Sequence, residues 1–331
     1  MNACVGVIQK YLGNCRWGQN QMASVFAPAN IALCKYWGKR DPILNLPVTD
    51  SLSISLGALG SHCTISLAEE DHYVLNGSSV DMDSVFATRL RTFLDWFRGP
   101  ADYRYRLESV NTVATAAGFA SSASGFAAVV KALQAVHGWQ LDPYVLSILA
   151  RMGSGSACRS LWNGFVHWHA GRLADGTDSF AEVILSDWKT LRVGLLSVDA
   201  GEKAVSSREA MNRTVATSIL YRSWTQQVEQ DVLALHEAIG DQDFHALGSC
   251  AEQNALAMHA TMLAARPAVL YWKPATVGVL HAVWQARSDG LPAYFTMDAG
   301  PNVKLLFEQS HADDVKSQFP QIVIANPWET P

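Results

Sequence analysis

Residues 115–128 read TAAGFASSASGFAA, a loop of small residues that leads into a helical pattern. Gly118 allows backbone conformations that other residues avoid, and its small neighbours let a ligand approach the main chain. Ser121, Ser122 and Ser124 add hydroxyl groups, and a helix that begins here directs free N–H groups at an anion. The pattern suits a triphosphate, although the Gly-Lys-Ser/Thr ending of a Walker A loop is absent. A tightly packed helix start without a ligand is the alternative.

A second loop of small residues, GSGSACRS, occupies residues 153–160. It contains Arg159, a planar cation that can bind a carboxylate or a phosphate through two hydrogen bonds. Two such loops and one arginine indicate a substrate with anionic groups at both ends. The alternative is a surface arginine that follows a flexible loop.

Cations surround an aromatic hydroxyl in the segment ANIALCKYWGKRD, residues 29–41. Lys35, Lys39 and Arg40 lie close in sequence to Tyr36, and this combination can clamp an anion. A cationic turn beside a buried tryptophan fits the same letters, so the segment alone leaves the choice open.

Two further segments place polar groups at the ends of expected elements. Ser206, Ser207 and Arg208 precede a helical pattern, where they either hold a phosphate or only cap the helix. Asp298 follows an expected strand and precedes a Gly-Pro pair. Such an acid either forms a turn or acts on a substrate in a cleft, and both interpretations stay open at this point.

The composition is that of a globular chain of 331 residues, 49% of them apolar and 17% charged. The apolar share excludes a disordered chain. The net charge of −5 without a basic patch argues against a nucleic-acid partner. No apolar run reaches the roughly 18 residues of a membrane span. The six cysteines are dispersed without a C-x-x-C pair, which favours free thiols in a cytoplasmic protein.

Hydrophobic periodicity divides the chain into a strand-rich first half and a helix-rich second half, with a boundary near residues 185–200. We therefore predict an α+β protein of two lobes. The predicted strands cover 24–33, 51–56, 62–67, 72–75, 164–170, 180–185, 191–199, 292–297, 303–307 and 321–325. The predicted helices cover 83–98, about 126–138, 142–152, 204–223, 224–239, 243–264 and 274–288.

Together these segments resemble the mevalonate diphosphate decarboxylases, a family within the galactokinase–homoserine kinase–mevalonate kinase–phosphomevalonate kinase (GHMP) superfamily. The likeness runs from about residue 23 to residue 325 in the order that the family has. It rests on five motifs: ANIALCKYWGKRD (29–41), TAAGFASSASGFAA (115–128), GSGSACRSLWNGFVHW (153–168), SSREAM (206–211) and MDAGPN (297–302).

The resemblance implies a fold, a reaction and its ligands. The fold is the GHMP kinase fold, with an N-terminal lobe like ribosomal protein S5 domain 2 and a ferredoxin-like C-terminal lobe. The implied reaction uses ATP and Mg²⁺ to convert mevalonate 5-diphosphate to isopentenyl diphosphate, and it releases CO₂, phosphate and ADP. The family is commonly a homodimer. We place the ATP-binding lobe at residues 22–190 and the C-terminal lobe at 191–331.

The resemblance also implies roles for individual residues. The catalytic residues it implies are Asp298, Arg159 and Lys39, with Asp298 facing the 3-hydroxyl as a general base or as an orienting and cation-stabilising carboxylate. The substrate contacts it implies are Tyr36, Lys39, Ser154, Ser156, Arg159, Ser207, Arg208 and Met211. The ATP contacts it implies are Ala117, Gly118, Ala120, Ser121, Ser122, Ser124 and Lys203, with Ser122 also toward the metal ion.

Residues 1–21 fall outside the likeness. We predict that they are disordered or arise from an upstream start codon. On this interpretation a chain of residues 22–331 keeps full activity.

Three histidines are not assigned to the reaction. His167 and His169 alternate on a predicted strand and so share a face, but the sequence signals no further metal ligand nearby. We predict structural or solvated roles for both. His259 lies in an apolar helical pattern and is predicted to be a packing residue.

Three other functions are compatible with the fold. Two are enzymes of the same family, a decarboxylase of mevalonate 5-phosphate and a mevalonate 3-kinase that does not decarboxylate. The third is a binding protein without activity on the same fold. The charged residues of the motifs argue against the third, because such a protein is expected to lose them.

Overall fold

The computed structural model describes residues 3–112, 121–199, 201 and 204–331. The helices of this part of the chain are α1 Ala3–Leu12, α2 Val85–Leu94, α3 Ser121–His137, α4 Pro143–Gly153, α5 Ser207–Thr217, α6 Tyr221–Asp241, α7 Phe244–Leu263, α8 Pro274–Ser288 and α9 Ala312–Gln318. The strands are β1 Met22–Cys34, β2 Lys39–Asp41, β3 Leu46–Pro47, β4 Ser51–Ala68, β5 His72–Leu75, β6 Ser78–Ser79, β7 Arg104–Asn111, β8 Phe165–Trp168, β9 Ala181–Ile184, β10 Leu191–Leu196, β11 Ala293–Met297, β12 Val303–Glu308 and β13 Val323–Ala325. Short 3₁₀ turns cover Asp95–Phe97, Gly155–Arg159 and Gln309–His311.

Two larger sheets organise these elements. The first has the order β6-β5-β7-β4-β8-β9, with β1 also paired to β4, and its pairs are antiparallel except for β5 with β7. The second has the antiparallel order β11-β12-β10-β13. The chain changes from one sheet to the other between Ile184 and Leu191. The predicted α+β class is confirmed.

One apolar core joins the two sheets. Ile31 of β1 and Leu52 of β4 belong to the same buried cluster as Val193 of β10 and Leu306 of β12. Met258 of α7 is also part of this cluster. Burial of apolar surface on both sides of the junction therefore fixes the two lobes against each other.

The strand predicted at residues 51–56 differs from the structure in length and in exposure. Residues 51–68 form one strand, β4, rather than two, and the chain passes through Gly57 with a φ of 61°. The alternation of serine and apolar residues is typical of a strand with one apolar face, but Ser51 and Ser53 on the other face are also fully buried. The polar face of β4 therefore lies inside the protein, where Ser51 accepts a hydrogen bond from Arg159.

Other boundaries also shift. The helix predicted over 83–98 ends at Leu94 and continues as a 3₁₀ turn, and the first helix after residue 200 covers Ser207–Thr217. Strand β7 was missed because its buried face includes Ser109 while Val110 is half exposed, which weakens the apolar alternation.

The prediction that residues 1–21 are disordered is wrong for the part that the structure describes. Helix α1 buries Cys4, Val7, Ile8 and Leu12 in the core of the first lobe. The segment after α1 is also held by polar contacts, because the backbone N–H of Gly18 donates to His137 Nδ1 at 3.0 Å. A short amphipathic helix outside the family likeness gives little sequence signal, and only its packing makes it stable.

Deletion of residues 1–21 is expected to lower the melting temperature by at least about 5 °C. The deletion removes Val7, Ile8 and Leu12 from the core, and each buried aliphatic side chain contributes roughly 1.5–3 kcal/mol to stability at most. Differential scanning calorimetry measures the shift. Val5→Ala is the control because Val5 is 40% exposed on the same helix. A truncated chain with an unchanged melting temperature would restore the view that the segment is dispensable.

Candidate active site

A cavity of about 410 Å³ gathers the motifs that the sequence singled out. Its walls come from β1 and the segment after it, the start of α3, the 3₁₀ turn at 155–159, the start of α5 and the segment after β11. The predicted residues that line it are Tyr36, Lys39, Ser122, Ser154, Ser156, Arg159, Ser207, Arg208, Met211 and Asp298. Residues far apart in sequence therefore share one cleft.

Asp298 lies between two buried lysines at one end of the cavity. Its Oδ1 is 3.0 Å from Lys35 Nζ, and its Oδ2 is 3.1 Å from Lys304 Nζ. The lysine side chains are 2% and 3% exposed, whereas that of Asp298 is 33% exposed. The carboxylate is thus the part of this ion cluster that can meet a ligand.

The two lysines control the ionisation of Asp298. Burial acts to raise the pKa of this carboxyl, but the charges of Lys304 and then Lys35 outweigh it and hold the pKa well below its ordinary value. Burial lowers the pKa of Lys35 to about 8, against the opposing effect of Asp298. Asp298 is therefore ionised at neutral pH.

Hydrogen bonds fix the position of this ion cluster. Lys35 Nζ also donates to the backbone carbonyl of Ala32 at 2.7 Å, and its backbone N–H donates to Asn254 Oδ1 at 2.8 Å. His259 Nε2 lies 3.1 Å from the Asp298 carbonyl oxygen, and burial lowers the pKa of His259 to about 3. A neutral His259 donates this bond, so His259 has the packing role that the sequence predicted and also holds the backbone of Asp298.

Arg159 is 3% exposed and is held on three sides. Its Nη1 donates to Ser51 Oγ, and its Nε and Nη2 lie 3.4 and 3.5 Å from Asn30 Oδ1. The guanidinium carbon lies 5.6 Å from the ring centroid of Trp168. These partners are neutral, so the positive charge of Arg159 is available to an anion in the cavity.

Tyr36 presents a buried hydroxyl to the cavity. Among the described residues its Oη has no hydrogen-bond partner, and burial raises its pKa above the ordinary value. Gly155 makes room for it, because a Cβ on Gly155 would lie 2.7 Å from this hydroxyl. A buried hydroxyl without a partner costs stability, which favours a site that a ligand completes.

Cations collect around Lys39. Lys39 Nζ donates to Asn45 Oδ1 at 2.5 Å, and Asn45 in turn donates to the carbonyl of Met152. Burial, followed by the charges of Arg208 and Arg89, lowers the pKa of Lys39 to about 8. A group of positive charges that repel one another in this way suits a ligand with several negative charges.

Of the predicted residues that the structure fully describes, Ser124 is not brought into the cavity. Ser124 is 1% exposed and shares a 2.7 Å hydrogen bond with Ser61 of β4, so its side chain packs against the sheet. Ala117, Gly118, Ala120 and Lys203 lie outside the described residues, as does the side chain of Ser121.

Other cavity residues were missed by the sequence analysis. Lys35 belongs to a quoted motif but was named only as one of several cations. Lys304 carried a usable signal, because a lysine inside the apolar strand Val303–Glu308 is expected to be buried with a partner. Arg89 and Asn30 lie in elements whose patterns do not distinguish them from ordinary polar positions.

Two family models match the chain on either side of the change of sheet. The diphosphomevalonate decarboxylase-like N-terminal domain matches residues 27–181, and the mevalonate 5-diphosphate decarboxylase C-terminal domain matches residues 193–329. The chain belongs to the diphosphomevalonate decarboxylase family. Both matched ranges contribute walls to the cavity, so the family relation includes the whole site.

Individual family members are similar over nearly the full length. The diphosphomevalonate decarboxylase of Gibberella zeae is 36% identical over 321 residues, which is 90% of this chain and 84% of the relative. A chain called MDDEF, solved in complex with MVAPP, AMPPCP and magnesium, is 42% identical with a TM-score of 0.86 and covers 92% of this chain and 96% of its own. The mevalonate diphosphate decarboxylase from Enterococcus faecalis, solved in work on its mevalonate diphosphate mediated ATP binding mechanism, is 41% identical with a TM-score of 0.85 and the same two coverages.

The similarity of this diphosphomevalonate decarboxylase family member to known proteins tests three of the predictions. The predicted family, the GHMP kinase fold and the enzyme class, a decarboxylase, are confirmed. The structure pairs none of the six cysteines, all of which lie within the residues it describes, in a disulfide. Within the described residues, none of the helices combines the length and apolar character that a bilayer span requires.

Proposed function

We propose that the chain catalyses the ATP-dependent decarboxylation of mevalonate 5-diphosphate to isopentenyl diphosphate, with release of CO₂, phosphate and ADP. The observation that carries this proposal is the arrangement of Asp298, Arg159 and Lys39 in one cavity. An ionised carboxylate, a guanidinium with neutral partners and a group of cations match the hydroxyl, carboxylate and diphosphate of one substrate. The family relation supports the same reaction.

The diphosphate binds at the end of the cavity that holds Tyr36, Lys39 and Arg208. The unpartnered Tyr36 hydroxyl donates to a phosphate oxygen, and Lys39 and Arg208 supply charge. Binding of the anion also relieves the repulsion that lowers the pKa of Lys39. Four other predicted residues line the same cavity and complete the contacts to the substrate: Ser154, Ser156, Ser207 and Met211.

Arg159 holds the substrate carboxylate until the bond to it breaks. Ser51 and Asn30 fix the orientation of the guanidinium, so its free edge keeps one geometry. The bond between the carboxylate and C2 must be aligned with the positive charge that develops at C3, because the electrons of that bond form the new double bond. Fixing this alignment before the reaction lowers the barrier.

Asp298 orients the 3-hydroxyl and stabilises positive charge at C3. A carboxylate with a strongly lowered pKa is a weak base, because efficient general bases have pKa values near the working pH. We therefore favour the orienting and cation-stabilising role over outright proton abstraction. As the phosphoryl group is transferred, the proton of the hydroxyl passes to a phosphate oxygen or to water. Phosphate then leaves with the C–O electron pair, and the permanent negative charge of Asp298 faces the cation that remains.

ATP and Mg²⁺ fit the same cavity on this proposal. Ser122 at the start of α3 lines it, and N–H groups at a helix start attract phosphate. When bound, Mg²⁺ neutralises the phosphate oxygens as charge develops during transfer. Ser122 is the residue of this chain that we place toward the metal ion.

The decisive experiment follows ADP and CO₂ together. Purified chain, ATP and Mg²⁺ are incubated with mevalonate, its 5-phosphate or its 5-diphosphate. Equal amounts of ADP and CO₂ from the diphosphate alone are expected. ADP without CO₂ would instead identify a 3-kinase, CO₂ from the monophosphate would change the substrate, and no turnover with any compound would favour a binding protein.

Lys304→Met is expected to shift the acid limb of the pH profile of kcat/KM upward by about one to three pH units. The charge of Lys304 is the largest single effect that lowers the pKa of Asp298, so its removal raises that pKa and Asp298 becomes protonated at a higher pH. Measuring kcat/KM from acid to neutral pH tests this, with the exposed Lys316→Met as control. An unchanged acid limb would show that Lys304 does not act on Asp298.

We also propose a cytoplasmic location and a homodimer. The cysteines support the first, because none of the six forms a disulfide in the described structure and oxidising compartments favour disulfides. The homodimer follows only from the resemblance. Light scattering on the purified chain distinguishes a dimer from a monomer.

A further inference from the structure

A second group of chemistry-bearing side chains lies outside the cavity. Asp50, His167 and His169 each direct one potential ligand atom at the others, and these three atoms all lie within 4.8 Å of one another. Asp50 immediately precedes β4, His167 is in β8, and His169 directly follows that strand. The sequence had placed the two histidines on one face and lacked a further ligand, which Asp50 supplies through the fold.

The carboxylate of Asp50 is oriented toward both imidazole rings. Its Oδ1 accepts the backbone N–H of Ala170 at 2.7 Å, which fixes the group. Its Oδ2 then lies 3.0 Å from His167 Nε2 and 3.9 Å from His169 Nδ1. The two ring centroids are only 4.0 Å apart. One oxygen and two ring nitrogens therefore converge on the same point.

The remaining ring nitrogens have partners of their own. His169 Nε2 lies 2.7 Å from Glu182 Oε1, and His167 Nδ1 lies 3.1 Å from His236 Nε2 on α6. Histidines that bind a metal ion through one nitrogen commonly bond a carboxylate or another acceptor through the other, which fixes ring and tautomer. These outer contacts are already in place in this chain.

We propose that Asp50, His167 and His169 bind a divalent transition-metal ion, with Zn²⁺ as the preferred ion. Two imidazole nitrogens and one carboxylate oxygen are a ligand set that suits zinc, whereas Mg²⁺ and Ca²⁺ prefer oxygen ligands. Zinc bonds of about 2.0–2.2 Å in a tetrahedron place ligand atoms about 3.3–3.6 Å apart. The 3.0 and 3.9 Å separations from Asp50 Oδ2 bracket that spacing, and all three ligand atoms lie within 4.8 Å of one another, so small side-chain movements complete the site.

The site is open to solvent on one side. The side chains of His169 and Asp50 are 32% and 38% exposed, whereas that of His167 is 8% exposed. An ion can therefore enter past His169, and water can occupy the fourth position. Because His167 Nε2 bonds the ion, its ring proton lies on Nδ1, from which it is donated to His236.

The proposed site lies on the face of the sheet opposite the substrate-binding residues. Trp168 lies between the two histidines in sequence and faces the other way, with its ring 4.7 Å from that of Tyr36 and 5.6 Å from the Arg159 guanidinium. Ser51, which follows Asp50, accepts the hydrogen bond from Arg159. A bound ion thus links β4 to the end of β8 directly behind Arg159 and stabilises the folded state by mass action.

Calorimetric titration of the full chain with ZnCl₂, after chelation and removal of the chelator, tests the proposal. One equivalent is expected to bind, with a rise in melting temperature. His169→Gln is expected to weaken binding at least about 100-fold, and Glu182→Gln about 10- to 100-fold because it acts through His169. His311→Gln is the matched control, since His311 also lies beside a carboxylate, that of Asp314, at 3.7 Å.

Further variants separate this site from other zinc ligands. Asp298→Asn and a Cys15→Ser, Cys250→Ser double variant are expected to keep the full affinity, and Co²⁺ is expected to give the absorption of a four-coordinate ion. Absence of saturable binding would overturn the proposal. So would loss of binding in the cysteine or Asp298 variants, or unchanged affinity in a His169→Gln chain that melts like the parent.

Discussion

Asp298→Asn is expected to lower kcat for decarboxylation by at least about 10³-fold. Asparagine keeps the size of the side chain but removes the negative charge that faces the 3-hydroxyl. It also takes the carboxylate away from Lys35 and Lys304, so positive charge alone remains where the reaction develops more of it. Both phosphoryl transfer and loss of phosphate should therefore be slower.

Quantifying ADP and CO₂ in single-turnover reactions checks this result. Asp289→Asn is the matched control because Asp289 is exposed at the end of α8, where its side chain accepts a hydrogen bond from Gln285. The melting temperature of both variants shows whether they fold. A folded Asp298→Asn chain that keeps kcat within tenfold of the parent would remove Asp298 from the reaction.

Arg159→Lys is expected to lower kcat/KM for mevalonate 5-diphosphate by about 10²- to 10³-fold, although it keeps the charge. A lysine carries its donors on one nitrogen in place of the planar fork of three, so it cannot span Ser51, Asn30 and a carboxylate in the same geometry. It also loses the contact between the guanidinium and the Trp168 ring. Because the carboxylate is misaligned as well as weakly bound, both kcat and KM should change.

Steady-state kinetics and calorimetric titration with the substrate separate these effects. The exposed Arg172→Lys is the control, and we expect it to match the parent. Equal kcat/KM for Arg159→Lys and the parent would mean that charge alone suffices at this position, and that the fixed guanidinium geometry has no role.

Local patterns predicted the elements that bury one face. The helix predicted at 224–239 is found as α6, Tyr221–Asp241, because buried apolar residues recur at helical spacing along it. Strand β4 was predicted as two strands because Gly57 and Gly60 interrupt the strand pattern, whereas the structure continues through both glycines. Helix α1 was missed because its ten residues do not show that Leu12 packs into the core of the first lobe.

The candidate site was predicted from motifs, and its electrostatics were not. The quoted segments supplied Asp298, Arg159 and Tyr36, which line the cavity. The lysine that most strongly lowers the pKa of Asp298 is Lys304, and its position opposite the carboxylate depends on the pairing of β11 with β12. Asp50 likewise meets His167 only because β4 pairs with β8. Such contacts between segments distant in sequence can be identified only when the fold is known.

The apolar core shared by the two sheets has a consequence for how this enzyme loses its structure. Ile31 and Leu52 pack in one cluster with Val193 and Leu306. Neither lobe can therefore unfold without exposing apolar surface of the other. The chain changes from one sheet to the other near residue 190, but the two lobes are expected to unfold in one cooperative transition. The two halves of the catalytic cleft should therefore form and disappear together, as one folding unit.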